Sequence, residues 1–348
     1  MESYRLLKEN LKDFIKILKE DYSIVIGPGI YEDKLIYKEI NNDADVKLES
    51  HIPLKPIKEY LFPQSEKLFN YKKNDAKNQF KEDTTNIKQV FLGLKPCDLT
   101  AIKYSDTFFS SNYKDNYYLK RRENTLIIGM SCEYPLNSCY CSSMGVSPGL
   151  NNGADIFLSN GGSFYSVEFI TEKGKAIENK LKSILKNGES SDLEIKNKIN
   201  KKTKSLLLEE FNLDNLRKNS NDIYNSNIWK KYSDICITCG ACTFDCPTCT
   251  CFDVLDKDLD ENNGYRYRTW DSCSFYNFCL HASGHNSRDS KVDRLRQRIM
   301  HKFNYSVKQF DLWSCVGCGR CIQVCPVGIN TRNIVKDLDE ESGGKTIG

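Results

Sequence analysis

Sixteen cysteines in a chain of 348 residues are the feature of this sequence that most needs a chemical explanation. Half of them form two copies of the pattern C-x2-C-x2-C-x3-C-P. The first copy holds Cys236, Cys239, Cys242 and Cys246, and the second holds Cys315, Cys318, Cys321 and Cys325. This spacing is typical of bacterial ferredoxins, in which three close cysteines bind one [4Fe-4S] cluster and the fourth binds the other.

The pattern therefore predicts two [4Fe-4S] clusters whose ligand sets each draw on both motifs. The first set is Cys236, Cys239, Cys242 and Cys325, and the second is Cys315, Cys318, Cys321 and Cys246. Two structural zinc sites are the alternative, since C-x2-C pairs also bind zinc. A zinc site does not require a third cysteine at the same spacing, or a fourth cysteine next to proline. Iron-sulfur clusters are therefore favoured over zinc.

Four further cysteines follow two short apolar runs that look like strands. Cys97 comes just after residues 90–94, before a helix that Asp98 could cap, and Cys132, Cys139 and Cys141 come after residues 126–130. If the two strands are parallel neighbours, the loops at their carboxyl ends meet where α/β sheets usually bind ligands. The sequence thus predicts a third [4Fe-4S] cluster on Cys97, Cys132, Cys139 and Cys141. The alternative is that these are simply buried free cysteines.

Three more cysteines lie at or beyond the end of the first motif. Cys249, Cys251 and Cys273 could hold part of a further cluster, with Cys279 or His285 as a fourth ligand. Packing beside the first two clusters, without binding metal, explains the three cysteines equally well.

The rest of the chain predicts an α+β protein. An amphipathic helix is expected over 4–20, and strands are expected at 23–26, 34–40, 90–94, 126–130, 155–158 and 163–170, the last two joined by a hairpin at Asn160-Gly161-Gly162. We expect an α/β domain with a mixed sheet over 1–185, a helical linker over 186–225 and a mostly helical ferredoxin-like dicluster domain over 226–348.

A helix with many basic residues is predicted between the two motifs. It starts at Ser290, with Asp293 as its capping partner, and runs to Phe303. Its arginines and Lys302 suit either a solvated helix that covers a cluster or a surface that docks a partner. The sequence does not separate these two uses.

Composition narrows the classes of function. With 50 basic and 47 acidic side chains, the formal charge of +3 predicts neither nucleic-acid nor membrane binding. The charged N-terminus lacks a signal-peptide pattern, so we expect a cytoplasmic protein, where thiols stay reduced and available to metal. No G-x-G-x-x-G follows a strand, so we expect no flavin or NAD site in this chain. The sequence also lacks an H-E-x-x-H motif, and we predict no catalytic residues.

Several motifs together resemble a known family. In chain order they are GLKPCDLTAI, C-x6-C-x-C followed by SSMG, CPTCTCFDV, TWDSC, GHN-x-R and CVGCGRC-x3-CP. This series, from about residue 90 to 330, resembles the iron-sulfur subunit that sulfhydrogenases (cytosolic nickel-iron hydrogenases, beta subunit) share with anaerobic sulfite reductases. TWDSC and GHN look closer to the sulfhydrogenase branch.

The resemblance implies a cytoplasmic electron-transfer subunit of an anaerobe's oxidoreductase. Such a subunit relays electrons between a flavin-containing NAD(P)H-oxidising subunit and a catalytic subunit with a nickel-iron or sirohaem centre. The alternative hypothesis is a stand-alone iron-sulfur reductase, with a substrate-reducing cluster in the N-terminal domain.

Overall fold

The computed structural model describes residues 3–73, 78–82, 87–208, 210–219 and 222–344. Its strands are β1 (Tyr4–Leu7), β2 (Ile24–Tyr31), β3 (Lys34–Glu39), β4 (Ser65–Lys72), β5 (Gln79–Glu82), β6 (Gln89–Leu94), β7 (Thr125–Met130), β8 (Ile156–Asn160), β9 (Phe164–Phe169), β10 (Leu185–Asn187), β11 (Phe252–Asp258) and β12 (Asn263–Trp270).

The helices are concentrated after the last strand of the larger sheet. They are α1 (Leu11–Asp21), α2 (Pro96–Ser110), α3 (Asn116–Glu123), α4 (Glu172–Leu181), α5 (Leu193–Lys204), α6 (Asp214–Asn219), α7 (Ile228–Ser233), α8 (Ala241–Phe244), α9 (Lys291–Met300), α10 (Ser306–Phe310), α11 (Arg320–Gln323) and α12 (Thr331–Gly344). A π-helical turn, His301–Tyr305, joins α9 to α10. The predicted α+β class is confirmed.

The larger sheet has the order β10-β1-β9-β8-β7-β6-β2-β3. Its centre is parallel: β6 pairs with β2 on one side and β7 on the other, and β7 pairs with β8. All residues of β6 and β7 are buried, as expected for parallel strands covered on both faces. The prediction that these two strands are parallel neighbours is confirmed. The first turn of α2, which carries Cys97, and the loop that carries Cys132 therefore follow the strands at the same edge of the sheet.

The other strands predicted for this sheet are also confirmed. β3, β8 and β9 lie within a few residues of the predicted runs, whereas β2 continues beyond the predicted 23–26 to Tyr31. β8 and β9 form the expected antiparallel hairpin. Gly162, in its turn, has a φ of +93°. A side chain would strain that left-handed backbone, which explains the glycine.

The predicted helix over 4–20 is wrong in its first part. Residues Tyr4–Leu7 form β1, which pairs with β9 and β10, and the α-helix begins only at Leu11. Leu6 lies opposite Tyr165 and Leu185 and is fully buried. Backbone pairing on both sides of this short segment outweighs the helical spacing of its leucines.

A second, four-stranded sheet with the order β11-β12-β4-β5 was not predicted. Its strands come from both sides of the predicted linker, because β4 and β5 precede the large sheet's centre while β11 and β12 follow the first cysteine motif. Buried Arg268 of β12 pairs with buried Glu66 of β4. This sheet ties the dicluster region to the N-terminal half.

The predicted linker over 186–225 contains α5 and α6, although residues 209, 220 and 221 lie outside the described part. The region after it carries short helices around the cysteine motifs and the β11-β12 hairpin. The boundaries at 185 and 225 stay a prediction.

Candidate iron-sulfur centres

The two cysteine motifs fold into the same local structure. Gly240 and Gly319, with φ of +76° and +74°, directly precede the short helices α8 and α11. Two residues earlier, Thr238 and Gly317 are also left-handed, with φ of +54° and +63°. The repeated spacing in the sequence therefore corresponds to a repeated backbone that winds three cysteines around one turn.

The first predicted ligand set lines one cavity of about 620 Å³: Cys236, Cys239, Cys242 and Cys325. The fourth of these comes from the other motif, as the sequence predicts. The backbone amide of Thr238 donates to Cys236 Sγ (3.4 Å), and that of Ile329 donates to Cys325 Sγ (3.2 Å). All sixteen cysteines lie in the described residues, and of these only Cys239 is exposed.

The second predicted set lines another cavity, of about 320 Å³: Cys246, Cys315, Cys318 and Cys321. Hydroxyl groups contact three of these sulfurs. The hydroxyl of Tyr140 lies 3.3 Å from Cys315 Sγ, that of Thr248 3.3 Å from Cys246 Sγ, and that of Thr331 3.4 Å from Cys321 Sγ.

The third predicted set also lines a single cavity, of about 340 Å³: Cys97, Cys132, Cys139 and Cys141. Its walls include Lys95, at the end of β6, and Thr203 and Leu207 from the predicted linker. Burial raises the pKa of the Cys97 and Cys132 thiols, and raises that of Cys141 to about 12. These thiols stay protonated near neutral pH unless a metal displaces the proton.

The three cavities lie in a row. Arg298, Cys321 and Thr331 line both the first and the second, and Cys318 lines both the second and the third. Tyr140 bridges the last two, because it stands between Cys139 and Cys141 in the chain while its hydroxyl reaches Cys315. Shared walls leave one layer of side chains between neighbouring thiol sets, which suits electron transfer from one to the next.

Comparison with known proteins identifies the family. Residues 235–329 match the model of the 4Fe-4S dicluster domain family. Over 344 residues the chain is 32% identical to the protein named sulfhydrogenase 2 subunit beta from Pyrococcus furiosus, and the match covers 99% of each protein. The chain belongs to the sulfhydrogenase beta-subunit family. It is thus an iron-sulfur electron-transfer subunit, and the resemblance noted in the sequence is confirmed.

The cavity walls fit the anionic clusters that this family membership implies. Arg294 and Arg298 line the first cavity, and the Nε atom of each is buried without a hydrogen-bond partner. Lys302 lines the second cavity and is also buried. Burial lowers the pKa of Lys302, but nearby Cys246 and Cys249 raise it more, so its pKa lies above the usual range and it stays charged. Buried cations of this kind need an anionic neighbour.

These cations correct one interpretation of the sequence. Helix α9 has the predicted Ser290–Asp293 capping box. Its basic residues, however, do not form one solvated face: Arg294 and Arg298 are buried against the cavities, as is Lys302 just beyond the helix. These three residues are therefore neither solvated nor part of a docking surface, although the helix does lie against two of the cavities, as the first interpretation expected.

None of the remaining thiols lines one of the three cavities. A hydrogen bond with Cys246 raises the pKa of Cys249, and one with Cys251 raises that of Cys273. This second hydrogen bond holds the pKa of Cys251 at about 7. Cys279 accepts a hydrogen bond from Arg288 (Nη1 to Sγ, 3.0 Å), and His285 is exposed. Metal binding by Cys249, Cys251 and Cys273 stays a prediction.

Nowhere in the described ranges do three or more cysteine, histidine or carboxylate side chains converge closely enough to hold a single metal ion. Around one zinc ion at about 2.3 Å from each sulfur, thiolates crowd together. The three sets instead surround cavities, an arrangement that suits a cluster of several atoms.

Two functional contacts were missed by the sequence analysis. Asp98 does not cap α2, whose N-cap is Lys95. The Asp98 carboxylate instead accepts hydrogen bonds from Arg320 and from the hydroxyl of Tyr37. A charged residue directly beside a predicted ligand cysteine was the available signal, because Asp98 follows Cys97 and Arg320 precedes Cys321.

No helix in the part of the chain described is long and apolar enough to cross a lipid bilayer.

Proposed function

We propose that this chain relays single electrons between a flavin-containing, NAD(P)H-oxidising subunit and a catalytic subunit with a nickel-iron centre. The observation that carries the proposal is the row of three thiol-lined cavities with shared walls. The Pyrococcus furiosus relative is named a sulfhydrogenase subunit, which favours a hydrogenase over a sirohaem sulfite reductase as the catalytic partner.

Twelve cysteines hold three [4Fe-4S] clusters in this proposal, four for each cavity. When bound, such a cluster accepts and donates one electron, at a potential set by burial and by hydrogen bonds to its sulfurs. The chain supplies these hydrogen bonds from backbone amides in the first cavity and from the hydroxyl of Tyr140 in the second.

The first cavity is the end of the relay at which an electron-transfer partner docks. Cys239, the exposed thiol, supports this assignment, as do the exposed apolar side chains of Ile235 and Ile237 on the same loop. Small, weakly bound contacts are usual between electron-transfer partners, so two exposed isoleucines beside a cluster suffice as the centre of such a contact. The third cavity, at the other end of the row, then faces the second partner.

The test uses the full chain, reconstituted anaerobically with iron and sulfide. Mixed with NADPH alone, its visible iron-sulfur absorption should stay unchanged, since the relay needs the flavin subunit to deliver electrons. Addition of the separately purified flavin subunit should bleach that absorption. Bleaching by NADPH without the flavin subunit would contradict the proposal.

A second assay separates the relay from the stand-alone reductase. The reconstituted chain, reduced by a chemical donor, is offered sulfite, polysulfide or a disulfide. We expect no turnover until the catalytic subunit is added. Turnover by the chain alone would contradict the relay and favour a substrate-reducing cluster in the N-terminal domain.

A further inference from the structure

Three buried cations follow one another at intervals of four residues along a single helical face. They are Arg294, Arg298 and Lys302, of which the last lies in the π-helical turn that continues α9. Side chains four residues apart lie one above the other on a helix. This cationic stripe runs beside the row of cavities.

Each cation of the stripe faces a different part of the row. Arg294 lines the first cavity, Arg298 lines the first and the second, and Lys302 lines the second. The positions along the helix thus match the order of the two ferredoxin-type thiol sets. None of the three lines the third cavity.

Hydrogen bonds to neutral acceptors hold the three side chains in place. Arg294 Nη1 donates to the carbonyls of Arg288 (3.0 Å) and Asp289 (2.6 Å), and Arg298 Nη2 donates to that of Cys242 (3.0 Å). Lys302 Nζ donates to Ser314 O (3.0 Å) and Thr248 Oγ1 (3.1 Å). These contacts fix each charge beside its cavity but do not neutralise it.

No carboxylate neutralises the stripe within the described residues, where the ion pairs found do not include Arg294, Arg298 or Lys302. Only 4% of Arg298 and 4% of Lys302 is exposed to solvent. A buried charge without a counter-charge is strongly unfavourable. The stripe therefore needs a negative group within the cavities, and thiolate-ligated clusters supply one.

We propose that the stripe sets the reduction potentials of the two clusters by position, with Arg294 acting on the first, Arg298 on both and Lys302 on the second. The inference rests on the proposed occupation of these cavities by clusters. Reduction adds a negative charge to a cluster, and a fixed cation nearby stabilises the reduced state more than the oxidised state. In a poorly polarisable interior this difference is large, so each cation raises the potential of the cluster it faces.

The experiment is a potentiometric titration of the full, anaerobically reconstituted chain, followed by electron paramagnetic resonance. Removal of each charge is expected to lower a different set of midpoint potentials. Arg294→Gln should lower that of the first cluster alone, and Lys302→Met that of the second cluster alone. Arg298→Gln should lower the midpoint potentials of both clusters. The third cluster is an internal reference, and its midpoint should not move. Lys291→Gln, at an exposed position of the same helix, is the matched control.

A purely structural role for the stripe would not reproduce this pattern. Lys302→Arg keeps the charge and should keep the midpoint of the second cluster close to that of the unsubstituted chain. Arg298→Lys shortens the side chain, so both midpoints should fall by less than in Arg298→Gln. If the glutamine variant does not fold, the lysine variant still tests the claim.

Unchanged midpoints in variants that retain full iron would overturn the inference, as would a shift in Lys291→Gln of equal size. A chain that binds no iron under reconstitution would instead refute the proposed function, so the two failures are distinguishable.

Discussion

Arg320 and Asp98 form a fully buried, bidentate ion pair between residues 222 positions apart in the chain, with nitrogen-oxygen distances of 2.7 and 2.9 Å. Arg320 lies in the second cysteine motif, and Asp98 lies at the start of α2, next to Cys97. Arg320 also donates from Nε to the carbonyl of Pro53 (2.8 Å). This pair fixes the second thiol set against the third.

The first prediction concerns Asp98→Asn, which removes the negative charge but keeps the side-chain volume. The Arg320 charge is then buried without its partner, which costs about 3–5 kcal/mol. We expect a clear fall in the thermal unfolding midpoint, measured by circular dichroism under anaerobic conditions. The control is Asp234→Asn, which breaks an exposed pair with Lys230. Equal midpoints for the two variants would contradict the importance of the buried pair.

The second prediction compares two glycines that share a backbone conformation. Gly319 has a φ of +74° and Gly145 a φ of +73°. Alanine at either position costs about 1–2 kcal/mol for the left-handed backbone. At Gly319 the new Cβ would also lie 2.5 Å from the carbonyl oxygen of Ser138, whereas at Gly145 it meets no atom within 4 Å. Thermal unfolding should therefore show that Gly319→Ala is much less stable than Gly145→Ala. An equal loss of stability in both variants would show that the backbone at Ser138 shifts at little energetic cost.

The third prediction concerns the hydroxyl of Tyr140. Burial, followed by the effect of Cys315, raises the pKa of Tyr140 well above its usual value, so the hydroxyl keeps its proton and can donate to the sulfur. Donors to a ligating sulfur favour the reduced cluster. Tyr140→Phe should lower the midpoint potential of the second cluster, while Tyr134→Phe, at an exposed position, should leave all midpoints in place. If both variants have the same midpoint potentials as the unsubstituted chain, the hydroxyl of Tyr140 does not influence the second cluster.

The fourth prediction concerns Cys251 and Cys273. Neither sulfur lines one of the three thiol-lined cavities, and a mutual hydrogen bond lowers the pKa of Cys251 and raises that of Cys273. We therefore expect the double variant Cys251→Ser, Cys273→Ser to keep the iron content of the unsubstituted chain. Loss of about four iron atoms would instead support a fourth cluster at the predicted partial ligand set.

Much of the site was predictable from the sequence because its chemistry depends on local spacing. The two C-x2-C-x2-C turns have the same backbone because each motif places a residue tolerant of positive φ where it is needed, such as Gly240 and Gly319. The apolar runs before Cys97 and Cys132 were long enough to identify strands, and the parallel pairing of β6 and β7 then brought the third set together.

What escaped prediction depended on partners distant in the chain. β4 ends at Lys72 and its partner β12 begins only at Asn263, and no local pattern identifies a partner so distant in the chain. Arg294, Arg298 and Lys302 resembled a solvated face because charged residues are rarely buried unless paired. In the proposed function their partners are the clusters held in the cavities, which no side chain in the sequence represents. The β1 strand was missed for a similar reason, since β9 and β10 lie far along the chain.

The central claim is that three thiol sets hold three clusters in a row, and the most direct measurement is the iron and acid-labile sulfide content of the anaerobically reconstituted chain. We expect about 12 iron and about 12 sulfide per chain, with reduced-state paramagnetic resonance broadened by coupling between neighbouring clusters. About 8 of each would contradict the third cluster, and zinc without sulfide would contradict all three.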